Sequence, residues 1–344
     1  STIQIENDIL DEAESNTLVF IIDKDGNYKK GVRFGKSENT IPVAITTDHY
    51  DNIYVAGNFS SVIYIAGNDS IFNQGNSDGV IVKMDKDLNI LWAKSIATSF
   101  EDDINAINID SEGNVFVAGL TTTEYGNEYN TYEAFLMKIS PDNNLLWKKR
   151  GITNFESKTK SILIDQEGNS YWTFVCDSIK FEDGESLKSS FEYYSSFINK
   201  ISPNGQWLIS KNFASIDGAY IDKQNLYLVQ LSTYDTINLF NAIKYNTELE
   251  VLWKKDLNNF FPVNYSPTYN SIKITVDNVE NIYISASVES KNFEFANDTF
   301  IGIDNQANIL LLKYNINGDE IWAKKFGEIT ELYNLPAEIL AFGD

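Results

Sequence analysis

The segment DSEGN at 110–114 sets two carboxylates beside a glycine and an asparagine, a composition common to calcium loops and to tight turns. DKDGN at 23–27 matches it, and DHYDN, DQEGN and DNVEN occupy 48–52, 165–169 and 277–281. An EF-hand-like loop needs oxygen ligands at alternate positions and a distal bidentate Glu. Here an apolar run begins at once, and DHYDN, DNVEN and DKQN (222–225) drop candidate ligands while keeping the outline. A turn needs only an Asp that bonds its own backbone and a Gly or Asn that accepts positive φ. The turn is the reading adopted, with structural calcium as its rival; no other cofactor is expected.

Other chemistry is narrowly bounded. His49 is the only histidine and Cys176 the only cysteine, which removes intrachain disulfides, cysteine-rich zinc sites and centres needing two imidazoles. A Ser/His/Asp triad would have to recruit His49 from the DHYDN turn, a poor place to bury and orient a base. Endings such as LWAK (91–94) and LWKK (146–149) invite a sugar-stacking reading. One Trp per repeat at a fixed register is better suited to packing between sheets. The accompanying Lys83, Lys138, Lys200, Lys244 and Lys313 are expected to snorkel along that surface.

These residues belong to a repeat with two halves. The first half is an alternating strand, an Asp-to-Asn turn and a second strand, as in INAINIDSEGNVFVAG at 104–119. The second half is an apolar strand, a turn and a strand ending in Trp-x-Lys, as in GVIVKMDKDLNILWAK at 79–94. Trp92, Trp147, Trp253 and Trp322 mark the register, with Ile209 replacing Trp in the third unit. Four short strands per unit at such periods are the signature of a β-propeller. A further second half, LVFIIDKDGNYKKGV at 18–32, lacks its first half. PAEILAF (336–342) is expected to supply its inner strand and TIQIE (2–6) its second strand. The expected fold is all-β: one six-bladed β-propeller over residues 1–344, with four-stranded antiparallel blades and a ring closed by both termini in one blade. Seven blades or a linear solenoid are the alternatives.

Asp and Glu number 49 against 27 Lys and Arg, a net charge of −22. Such a chain repels phosphate backbones, so nucleic acid is not an expected partner. No run approaches the roughly 20 apolar residues of a membrane helix, and STIQIENDILDEAESN has no signal-peptide pattern.

VAITTDHYDNIYVAG at 43–57 and SDGVIVKMDKDLNILWAK at 77–94 resemble the bacterial SBBP β-propeller repeats, as does the connection within 57–83. The resemblance covers most of the chain, and the third and fourth units depart from it. It implies the fold and a secreted, cell-surface or periplasmic location, and no reaction.

In such a fold the short turns lie at one end of the strands and the long, variable connections at the other. Binding residues gather on variable loops held by a rigid scaffold. The candidate partner face therefore comprises Asp102, Asp103, Tyr125, Tyr129, Phe155, Tyr193, Tyr194, Tyr234, Phe261, Tyr265 and Tyr333. Tyr beside Asn and Asp suits a protein or a glycan; the competing reading folds these aromatics back as satellite cores. The expected function is a non-enzymatic binding or scaffold module of the bacterial envelope or surface, alone or within a larger envelope or secretion assembly. The alternative is a six-bladed hydrolase, lactonase or lyase with an axial carboxylate or metal site. Against it, the inner strands VAITTD, NAINID, SILID, AYID and KITVD put Asp at the short-turn end.

Overall fold

The structure, a computed structural model, describes residues 3–5, 8–10, 17–23, 25, 27–34, 40–64, 70–124, 130–153, 157–182, 184, 186–189, 195–222, 224–234, 237–257, 272–289, 293–296, 298–300 and 307–329. Its strands are β1 Ile3–Ile5, β2 Asp8–Leu10, β3 Thr17–Ile22, β4 Tyr28–Phe34, β5 Thr40–Thr47, β6 Ile53–Phe59, β7 Val62–Tyr64 and β8 Ser70–Phe72. Then come β9 Asp78–Met84, β10 Ile90–Ile96, β11 Asp102–Ile109, β12 Val115–Glu124, β13 Asn130–Ile139, β14 Leu145–Thr153, β15 Lys158–Ile164 and β16 Ser170–Cys176. The chain continues with β17 Ser178–Phe181, β18 Ser186–Lys188, β19 Ser195–Ile201, β20 Trp207–Phe213, β21 Ser215–Ile221, β22 Asn225–Tyr234 and β23 Ile237–Asn246. The last are β24 Val251–Asp256, β25 Ile272–Val276, β26 Ile282–Glu289, β27 Phe293–Phe295, β28 Asp298–Phe300, β29 Ala307–Tyr314 and β30 Glu320–Ile329. No helix among the described residues is long and apolar enough to cross a membrane.

The chain forms two compact units, 1–193 with 199–208, and 194–198 with 209–344. The first holds the antiparallel sheet β10-β9-β6-β5 and the sheet β11-β12-β13-β14, extended by the hairpin β17-β18. The second holds β21-β22-β23-β24 and β25-β26-β29-β30. The order β15-β16-β19-β20 repeats the same meander. Each sheet is thus the four-stranded unit that the two-half repeat predicts. The first unit also holds the pairs β1-β2, β3-β4 and β7-β8. Ile3–Ile5 therefore hairpins with Asp8–Leu10 instead of joining β3 as expected of TIQIE; residues 336–342 lie outside the described residues.

Middle strands read as continuous apolar runs because both their faces are covered. In β9, Val80, Val82 and Met84 enter a core with Val19, Phe34 and Ile63. Ile81, on the opposite face, packs with Ile104, Val117 and Phe135 of the neighbouring sheet. Each such aliphatic contributes roughly 1.5–3 kcal/mol when fully buried. In the second unit Val229, Phe240, Ile274, Ile284 and Leu310 form the corresponding core.

The Asp-to-Asn segments are turns. In 110–114, Asp110 Oδ1 accepts the Glu112 and Asn114 amides at 3.0 and 2.8 Å, and the Asp110 amide donates to Asn114 O. The fourth position is left-handed in every turn of this length that is described: Asp51, Leu88, Gly113, Asn143, Gly168, Gly205, Leu249, Glu280 and Gly318. The expectation of Gly or Asn there is too narrow. Leu88 and Leu249, at φ 62° and 58°, are 3% and 1% exposed. Burial of that size offsets the roughly 1–2 kcal/mol cost of the conformation.

The Trp-x-Lys endings form joints between sheets. Trp92 and Trp147 donate their indole N–H to the carbonyls of Pro141 and Pro203 at 3.0 and 2.9 Å, and Trp253 donates to Ile316 at 3.1 Å. In each case the acceptor is the second residue of the following sheet's last turn. The recurrent lysines do not snorkel. Lys83, Lys138, Lys200 and Lys244 are buried, and with Lys313 they hold Nζ 5.0–5.7 Å over the rings of Tyr54, Phe116, Tyr171, Tyr227 and Tyr283. Lys138 adds a buried ion pair, 3.0 Å to Asp110, and Lys244 meets the more exposed Glu280 at 3.1 Å.

Candidate functional site

The long-connection end of the first unit is described where β9 and β11 begin. Asp78 opens β9 directly after the 60–77 connection, and Asp102 opens β11 after 97–101. Of the expected partner face, only Asp102 and Asp103 have described side chains. Tyr234 ends β22, paired with Ile237, and its side chain is outside the description. Tyr125, Tyr129, Phe155, Tyr193, Tyr194, Phe261, Tyr265 and Tyr333 lie outside the described residues.

Asp102 is not a surface ligand. It is 1% exposed; its Oδ2 accepts the Thr98 amide and hydroxyl at 2.6 and 2.7 Å, and its Oδ1 accepts the Thr121 hydroxyl at 2.7 Å. The Asp102 amide donates to Ser77 O, and Asp103 accepts the Ser77 hydroxyl at 3.2 Å. Both acids therefore lock the 97–101 connection to the 73–77 loop. In FEDD (100–103) the strand begins at Asp102, where a free carboxylate would be desolvated without partners, while Asp103 is half-buried.

Asp78 was not anticipated. It is fully buried, its Oδ2 accepts the Gln74 amide, and its Oδ1 has no partner among the described groups. Burial raises its carboxyl above the ordinary carboxylate value, and the Asp102 charge adds to the rise against the Gln74 and Gly75 amides. One register signal was available: Asp78 and Glu133 both stand five residues before the buried lysines Lys83 and Lys138.

Beside this pair, Glu133 lies 3.6 Å from Arg150 and 3.9 Å from Lys148, and Arg150 also meets Glu182 in an ion pair. Burial pushes Lys148 below the ordinary lysine value, opposed by Glu133 and reinforced by Arg150. Its Nζ lies 5.2 Å over the Phe135 ring. The arrangement pairs a sealed acid, Asp78, with a half-open patch of alternating charge. The patch can recognise a ligand carrying both signs; Asp78, at 0% exposure, holds loops and meets no solvent-borne ligand. No group of three His, Cys, Asp or Glu among the described residues is arranged to hold a metal.

No family model matches the chain. An uncharacterized WD repeat-containing protein of Acanthamoeba polyphaga mimivirus is 24% identical over 339 residues, covering 83% of this chain. The chain accounts for 22% of that relative's length. Among solved structures, a eukaryotic initiation factor shares 10% identity over 89% of this chain and 73% of its own, with a TM-score of 0.40. The β-propeller domain of the Trilobed protease from Pyrococcus furiosus shares 7% identity over 80% of this chain and 81% of its own, also at 0.40.

Proposed function

We propose that the chain is a binding scaffold: a six-bladed β-propeller whose long-connection end engages a protein or a glycan. The observation that carries this reading is the joint repeated from sheet to sheet, an indole N–H bonded to the next turn's carbonyl. A constant joint at the short-turn end leaves sequence variety to the opposite end, where the Glu133–Lys148–Arg150–Glu182 patch lies. The mimivirus relative's WD repeats favour a scaffold over a reaction. A secreted or surface location follows from the SBBP resemblance.

A glycan array and an affinity pull-down with the whole chain test this reading. Specific capture that is lost on Arg150→Glu supports it; silence in both overturns it.

A further inference from the structure

The last strand of one sheet after another carries the same irregularity. Ile90 pairs with Met84 and Trp92 with Lys83, which leaves Leu91 as the extra residue of a β-bulge. Leu146 is the extra residue between Leu145 and Trp147. In the second unit Leu252 and Ile321 hold the same place before Trp253 and Trp322. Leu208 precedes Ile209, the residue that replaces Trp in its repeat. All five aliphatics are 41–52% exposed. A bulge re-aims the residue it leaves unpaired, and here it turns a large aliphatic to solvent. The fold does not require an aliphatic there. In β3-β4 the extra residue is Lys29, which forms an ion pair with Asp23 at 2.9 Å. Single exposed aliphatics are ordinary on a surface, whereas a recurring one at a fixed register marks a place of contact.

In the first unit these side chains sit on elements that are bonded together at the short-turn end. Trp92 and Lys94 donate to the carbonyls of Pro141 and Asn143, holding β10 against turn 140–144. That turn leads directly into Leu145 and Leu146, both exposed. Trp147 holds β14 in the same way against turn 202–206, which ends two residues before Leu208. The turns around these leucines are acidic. In 48–52, 85–89, 110–114, 140–144, 165–169 and 202–206, all of them described, Asp51, Asp87, Glu112, Asp142 and Glu167 are exposed. Lys86 is the one lysine or arginine in those six turns.

We propose that the short-turn end of the first unit, around Leu91, Leu145 and Leu146, docks a basic amphipathic segment of a partner protein. Its aliphatic side chains would cover the three leucines, and its lysines or arginines would face Asp87 and Asp142. A second copy of this acidic end, or an anionic lipid surface, would meet those carboxylates with charge of the same sign. The surface lies at the opposite end of the strands from the Glu133–Arg150 patch, and its test does not depend on that reading.

Fluorescence anisotropy of the whole chain tests it with a labelled amphipathic lysine–leucine peptide, compared with a lysine–serine peptide of equal charge. The lysine–leucine peptide should bind about tenfold more tightly. Leu91→Ser with Leu146→Ser should abolish that preference and leave the melting temperature unchanged, because both side chains are exposed. Asp87→Asn with Asp142→Asn should weaken binding of both peptides and reduce its salt dependence. Tyr64→Ser with Phe72→Ser, two exposed aromatics at the opposite end, should alter neither. If the leucine variant fails to fold, amide exchange on the wild-type chain decides. Exchange slowed within 85–92 and 140–147 on adding the lysine–leucine peptide supports the site, and slowing confined to other segments overturns it. Equal binding of the two peptides, or a preference lost in the Tyr64 and Phe72 variant and kept in the leucine variant, would overturn it. A dimer that forms through Leu91 and Leu146 and excludes the peptide would overturn it too.

Discussion

Asp110→Asn is the sharpest probe of how these turns are wired. Asp110 accepts two backbone amides, the Asn114 side-chain amide at 2.9 and 3.1 Å, and Lys138 Nζ at 3.0 Å, with both ionic side chains about 95% buried. The substitution leaves an acceptor for the backbone amides. It also sets a new amide N–H₂ against the Asn114 N–H₂ and strands a buried ammonium. Removing one partner of a buried pair costs about 3–5 kcal/mol. Other repeats carry the exchanged arrangement: Asn315 accepts the Asn317 and Asp319 amides and donates to Asp319 at 3.0 Å, and Asn246 does likewise with Glu250. Asn114→Asp, added to Asp110→Asn, should therefore restore the turn and return a carboxylate to within a few ångströms of Lys138. The double-mutant cycle should show a favourable coupling of about 2 kcal/mol. The assay is urea unfolding followed by tryptophan fluorescence, comparing midpoints at constant slope. A single-variant loss below about 1 kcal/mol, or a double variant no better than the sum of the singles, would refute the wiring.

The pH behaviour of the carboxylates divides by sign. Asp78 has a raised folded pKa, so its ionisation destabilises as pH climbs past the unfolded value near 4; Asp78→Asn should stabilise at pH 7, with the gain vanishing below about pH 4 in urea titrations. Burial pushes Asp48 and Asp277 upward, but bonds from Asn52 and Tyr50, and from Asn281 and Val279, leave both below the ordinary value. Their stabilisation is present above about pH 4 and lost as pH falls through the folded value, so Asp277→Asn should flatten that acid limb. Trp147→Phe should cost about 1–2 kcal/mol, because the Pro203 carbonyl loses its donor and the joint loses ring area. At the left-handed turn positions, exposed Asp51→Gly should gain up to about 1 kcal/mol, whereas Leu249→Gly should lose about 2–3 kcal/mol by emptying a buried site. Thermal melts that move both variants the same way would contradict that account.

The strands and turns were legible because their determinants are local. Alternation sets a strand's faces, and Asp110 bonds atoms two and four residues away. The four-stranded grouping followed from the repeat, since each half returns in the same order. What escaped were relations across sheets. Asp78 and Asp102 are 24 residues apart, and nothing in FEDD announces that its aspartates close a neighbour's loop. The burial of Lys138 escaped because it depends on the Phe116 ring and the Asp110 carboxylate beneath it. The seating of β17 on β14 was equally hidden, because edge pairing is decided by Gly151 and by a segment beyond the next two strands.

The indole joint has an evolutionary consequence. Because Trp92, Trp147 and Trp253 donate to main-chain carbonyls, the receiving residue is unspecified: Pro, Pro and Ile serve alike. A repeat can therefore be duplicated, or its receiving turn can drift, without any matching change in the repeat before it. Copies need to keep only a donor and a turn of constant shape, which leaves their connections free to diverge.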